Sequence, residues 1–164
     1  MVTQLDQPMV NLIVTDEYIK NTIEIISDNL GYVVKSFKSN IDFFTNYDRS
    51  KNSCTVVNID STNSFIDTAP NLKSVSAPFI FLSMFADTKI TSKAFKMGAF
   101  EFMDYSDIES LMPSTLTECM QLDIIRRKEF IESASASELL KLLSSKEEEV
   151  LTLLVKGFCH KKIA

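Results

Sequence analysis

Residues 79–103 read FIFLSMFADTKITSKAFKMGAFEFM, and their pattern decides the fold. Phe79–Leu82 is an apolar run of strand length, Lys89–Met97 has helical spacing closed by Gly98, and Phe100–Met103 is a second short run rich in aromatic residues. Strand, helix and strand in that order make a crossover unit, which joins parallel strands in a right-handed sense. Runs that are apolar at consecutive positions belong to strands buried on both faces.

The same alternation extends toward the N-terminus. Val10–Val14, Tyr32–Phe37 and Cys54–Ile59 are further runs of strand length, rich in β-branched or aromatic residues. Ile19, Ile23, Ile26 and Leu30 recur at helical spacing and stop at Gly31, a residue that permits positive φ. Ile41, Phe43 and Phe44 mark a second helix. The third crossover, Ser61–Ala77, is short and interrupted by Pro70, so its helix is expected to be stunted or irregular. A longer last helix is expected from about Pro113, since proline is tolerated in a first turn, to Glu132. Five strands alternating with helices give an α/β fold, an open five-stranded doubly wound parallel sheet. Such sheets bind ligands at the carboxyl ends of their strands.

Beyond this domain, Ser133-Ala134-Ser135-Ala136-Ser137 reads as a hinge, with a weak continuation of the last helix as the alternative. Ser144 with Glu147 forms a capping-box pattern. Val150, Leu151, Leu154 and Val155 then give one apolar helix face, Gly157 closes it, and Lys161–Ala164 starts another helix. The expected organisation is a domain over 1–132, a linker over 133–137 and a small, partial all-α segment over 138–164.

Composition narrows the function. A length of 164 residues with 45% hydrophobic and 24% charged residues suits one globular domain plus a small segment. A formal charge of -5 argues against general adhesion to nucleic acid or to an anionic membrane. No apolar run approaches the roughly 18 residues of a membrane span. Cys54, Cys119 and Cys159 form no short-spaced pair and no secretory leader opens the chain, so a cytoplasmic location is expected. His160 is the single histidine and adjoins Cys159, which leaves no triad or metal cluster. Gly31, Gly98 and Gly157 build no phosphate-cradling loop. Neither an enzyme nor a bound metal or cofactor is expected.

Three stretches carry a resemblance: Ile80-Phe81-Leu82-Ser83; Ala94-Phe95-Lys96-Met97-Gly98-Ala99 followed by Glu101-Phe102; and Glu149-Val150-Leu151 with Gly157 and Ile163-Ala164. Together they resemble two-component response regulators of the FixJ/NarL type. Residues 10 to about 130 look like a CheY-like receiver, with its flavodoxin-like fold. Residues 143–164, LSSKEEEVLTLLVKGFCHKKIA, look like the opening of a LuxR-type helix-turn-helix, and stop short of the helix that enters the major groove in that domain type. The resemblance implies transcription regulation, with a sensor kinase or another protein as a possible partner. DNA is a partner only if the helix-turn-helix is completed beyond Ala164.

A working receiver of this type has an aspartate nucleophile ending its third strand, an acidic pair after the first strand for Mg²⁺, a Ser or Thr after the fourth and a Lys after the fifth. The Asp attacks phosphorus, while metal, Lys and hydroxyl stabilise the charge on the transferred group. Carried onto this chain, the nucleophile position falls on Asn58, whose amide cannot form an acyl phosphate. The acidic pair is reduced to Thr15-Asp16 with Glu17 beside it, which is too few carboxylates for a magnesium site. Ser83 keeps the hydroxyl, and Tyr105 stands where the Lys belongs. The rival nucleophile is Asp60, because a two-residue shift of the strand keeps the same face. Ser83 and Phe102 match a hydroxyl and an aromatic residue that move together in active receivers. The alternative for this pair is a capping serine and a core phenylalanine that no longer switch.

The last helix offers a dimer surface. Beyond Leu122 it is expected to outrun the sheet, leaving Ile124, Ile125, Phe130 and Ile131 in need of a partner, with Arg126-Arg127-Lys128 alongside as a solvated face or part of that surface. The face made by the helices of residues 89–97 and 113–132 and the strand between them is the other candidate. The expected function is an atypical, phosphorylation-independent response regulator acting as a homodimer. Two alternatives stand beside it: a stand-alone receiver-like interaction module that poisons a complete regulator, and a receiver still phosphorylated on Asp60.

Overall fold

Five parallel strands form one sheet in the order β2-β1-β3-β4-β5, with β1 Met9–Ile13, β2 Val33–Ser36, β3 Ser53–Asn58, β4 Phe79–Ser83 and β5 Glu101–Asp104. The computed structural model describes residues 7–59, 65, 72, 75–85 and 87–156. Helices α1 (Glu17–Asn29), α2 (Asn40–Asn46), α3 (Thr88–Met97), α4 (Ile108–Lys141) and α5 (Ser145–Val155) complete the described elements, with a 3-10 turn at Tyr105–Asp107 leading into α4. The expected strands are all present, their ends displaced by a single residue. This strand order is that of the CheY-like, flavodoxin-like doubly wound fold. Most of the third crossover lies outside the described residues.

Successive side chains of a strand point to opposite faces, which divides the core in two. Val10, Leu12, Cys54, Val56, Ile80 and Leu82 pack with Ile19 and Ile23 of α1 and with Ile108, Met112, Leu116 and Cys119 of α4. Ile13, Val57, Phe79 and Phe81 face the other way, onto Phe37, Phe43, Phe65, Leu72 and Ala94. The second face is aromatic. Phe43 meets Phe37 edge-on at 5.2 Å and Phe79 at 5.7 Å between ring centroids, geometries that add to simple burial. Two of the three helix stops read from glycine lie among the described residues and are in place: Gly31 (φ 76°) follows α1 and Gly98 (φ 103°) caps α3.

Helix α4 departs from expectation in three ways. It begins at Ile108 rather than Pro113, because Pro113 lies near the helix start and removes a single i→i−4 donor. It does not outrun the sheet after Leu122. Asp123 is buried and its Oδ2 accepts the Ser53 N–H at 2.9 Å, at the amino end of β3, while Arg126 Nη1 donates to the Ser76 carbonyl at 3.3 Å. Arg126 is thus seated on the domain rather than solvated. Finally, Ser133–Ser137 is helical, since serine and alanine tolerate a helix, so this segment takes the alternative to a hinge.

The chain divides into two compact units, Met1–Arg126 and Arg127–Ala164. In the second, the expected capping residues meet: the Ser144 N–H and Oγ donate to Glu147 Oε2 at 2.8 and 2.6 Å. Val150, Leu151, Leu154 and Val155 of α5 are all exposed. Gly157, Cys159, His160 and the start of the next helix lie outside the described residues.

Candidate functional site

Parallel strands all end on the same edge, so loops distant in sequence converge there. Thr15 and Asp16 follow β1, Asn58 ends β3, Ser83 ends β4 and Tyr105 follows β5. The structure brings all five together. With Ile59, Met84, Phe85, Asp87 and Ile90 they line a cleft of about 550 Å³. Glu17 is not among the lining residues. It sits in the exposed first turn of α1, 3.9 Å from Lys20 Nζ, which corrects its grouping with the former acidic pocket. Asp60 lies outside the described residues. Phe102 faces the aromatic core beside Phe81 rather than the cleft.

The centre of the cleft is a neutral pair. Tyr105 Oη donates to Asn58 Oδ1 at 2.6 Å, and Asn58 is only 5% exposed. A phenol and an amide thus meet at the carboxyl ends of β3 and β5. Ser83 is engaged locally: its Oγ accepts the Phe85 N–H at 3.2 Å and donates to the Phe85 carbonyl at 2.9 Å, pinning the turn after β4.

Two carboxylates stand in the described lining. Asp16 caps α1 by accepting the Ile19 N–H at 3.0 Å, and Asp87 caps α3 by accepting the Lys89 N–H at 2.8 Å. Each stabilises the helix N-terminus it faces. Among the described residues no three His, Cys, Asp or Glu side chains stand together, so this lining does not fit a receiver's magnesium site. Asp87, Met84, Phe85 and Ile90 escaped the sequence reading. An Asp immediately before a helix is a cap signal that pointed to Asp87's position, though not to its place in the cleft.

The residues assigned to dimerisation are exposed, Ile124 and Ile125 in the first unit and Phe130 and Ile131 in the second.

No protein-family model matches the chain. In sequence it is 24% identical over 152 residues to the response regulator protein TodT of Pseudomonas putida, a match covering 91% of this chain and 67% of that protein. The transcriptional regulatory protein TdiR of Thauera aromatica is likewise 24% identical, over 156 residues, covering 93% and 69%. The chain's homologues in sequence are thus a response regulator and a transcriptional regulatory protein. Among solved structures, the response regulator StyR superposes with a TM-score of 0.74 at 22% identity, covering 96% of this chain and 81% of that one. Full-length FixJ from B. japonicum gives 0.60 at 15% identity, covering 99% and 80%. The fold is thereby that of a receiver. No helix among the described residues is long and apolar enough to cross a membrane.

Proposed function

We propose that this chain is an atypical response regulator of transcription whose receiver-like domain works without phosphorylation, supplying signal input or dimerisation to a helix-turn-helix DNA-binding domain. The observation that supports it is the Tyr105–Asn58 hydrogen bond of 2.6 Å. An amide nitrogen is no nucleophile toward phosphorus, and a phenol cannot supply the positive charge that steadies a transferred phosphoryl group. With two capping carboxylates in the described lining, a metal is short of ligands among the described residues as well. Exposed Ile124 and Ile125 on α4 support the dimer.

The test is intact mass after incubation with acetyl phosphate and Mg²⁺. No phosphoryl group is expected to be added. Stoichiometric phosphorylation overturns the reading, and its loss in Asp60→Asn would assign the nucleophile.

A further inference from the structure

We propose that the cleft takes a small organic cation, an amine carried on an apolar or aromatic body, as its ligand. The inference rests on the phosphorylation-independent reading, because it concerns what occupies the site once phosphate is not its ligand. Position and size come first. The cleft lies at the carboxyl edge of a doubly wound sheet, and its volume of about 550 Å³ is within the range of small-molecule sites.

Charge selects the ligand's sign. The described lining contains two carboxylates, Asp16 and Asp87, and no lysine, arginine or histidine. An anion would meet repulsion without a cationic partner; an ammonium group is the complement. Each carboxylate uses one oxygen for its helix cap and retains acceptor capacity on the other. A bare metal ion is disfavoured, since no third ligating side chain joins them among the described residues.

The apolar wall selects the body. Met84 and Phe85 stand 57% and 80% exposed on the cleft's rim, and Ile59, Ile90 and the Tyr105 ring continue the surface inward. Exposing a methionine and a phenylalanine side by side forfeits burial that a ligand would restore. The turn holding them is already fixed by the two Ser83–Phe85 hydrogen bonds, so little order need be gained on binding. An aromatic ring near an ammonium adds cation–π attraction.

The experiment titrates the full 164-residue chain with benzylamine, benzyl alcohol, benzoate and inorganic phosphate, following backbone amides by NMR. Benzylamine is expected to bind in the millimolar range, shifting the amides of Asn58, Ser83, Phe85 and Tyr105, with benzyl alcohol weaker and the two anions silent there. Asp16→Asn with Asp87→Asn should weaken benzylamine roughly tenfold. Asparagine is as good an N-cap as aspartate, so this variant removes charge while keeping the fold. Phe85→Ser, at an exposed position, should also weaken binding. Benzoate or phosphate binding as tightly as benzylamine, an unchanged affinity in the double variant, or no cleft shift up to about 20 mM amine overturns the proposal. A chain that resists acetyl phosphate and also ignores benzylamine sinks this inference alone, whereas phosphorylation sinks the reading beneath it.

Discussion

The two edges of the sheet treat polar groups in opposite ways. At the amino edge a carboxyl group, Asp123, is buried in the seam between α4 and β3 and accepts the Ser53 N–H at 2.9 Å. Nearby, Cys54 and Cys119 are buried thiols whose pKa values are pushed up, chiefly by burial. At the carboxyl edge the corresponding contact is part-buried and joins neutral groups, phenol to amide. The difference separates what folding demands from what chemistry demands. A buried donor needs an acceptor of any kind, so an amide serves the fold at position 58 as well as a carboxylate would. Phosphoryl transfer needs charge and nucleophilicity, which the hydrogen bond between a phenol and an amide does not itself supply.

The comparison breaks most readily at Asp123. Asp123→Ala leaves the Ser53 N–H buried without its acceptor and should cost about 2–3 kcal/mol in a urea titration. A loss below about 0.5 kcal/mol, the size of an ordinary surface change, would mean that the amino edge does not depend on this contact. Ile124 follows directly on Asp123 and is 54% exposed, so the same helix turn that is anchored inward presents an apolar side chain outward. We expect a dimer at tens of micromolar by sedimentation. Ile124→Asp with Ile125→Asp should weaken it at least about tenfold. A clean monomer at those concentrations ends the dimer proposal. Smaller again is Tyr105→Phe, which removes one hydrogen bond at the edge of the cleft and should cost about 1 kcal/mol or less. If it costs as much as Asp123→Ala, the carboxyl edge is a structural keystone after all, and the contrast between the edges fails.

The fold was legible because burial on both faces writes largely apolar runs into the central strands β1, β3 and β4, and Gly31 and Gly98 punctuate the helices with positive φ. Asn58, Ser83, Asp16, Thr15 and Tyr105 were legible as one site because parallel strands bring their carboxyl ends together whatever the intervening sequence. Glu17 was misplaced for a local reason. One residue beyond an N-cap, the helix has turned its side chain toward solvent, and adjacency in sequence is not adjacency in the cleft. Met84 and Phe85 were invisible as a rim because two apolar residues in the turn after a strand carry no sign of whether the turn buries or exposes them; their exposure is set by the turn that Ser83 pins. The grip of Asp123 on Ser53 spans distant parts of the chain, with no periodicity to announce it. Ser133–Ser137 shows a different limit: small residues suit a hinge and a helix alike, so composition leaves the choice open.

The smallest effect concerns a third kind of polar contact, fully exposed, which marks the lower end of the scale set by the two edges. Glu147 Oε2 accepts both the Oγ and the N–H of Ser144, and these hydrogen bonds, the side-chain one foremost, hold its carboxyl below the ordinary value of 4.5. A carboxyl group whose folded pKa is depressed contributes stability that is fully present above the unfolded value and is lost as pH falls through the folded one. Neutral pH therefore keeps the cap of α5 intact, and protonation loosens it only in the acid range. The Ser144 amide resonance should titrate with a midpoint below 4.5, and Glu147→Gln should abolish that titration while leaving the amides of β3 and Asp123 unmoved. A midpoint at or above 4.5 would show that exposed hydrogen bonds at this cap do not favour the charged carboxylate, and that the contrast between the sheet's edges owes as much to burial as to the partners each group finds.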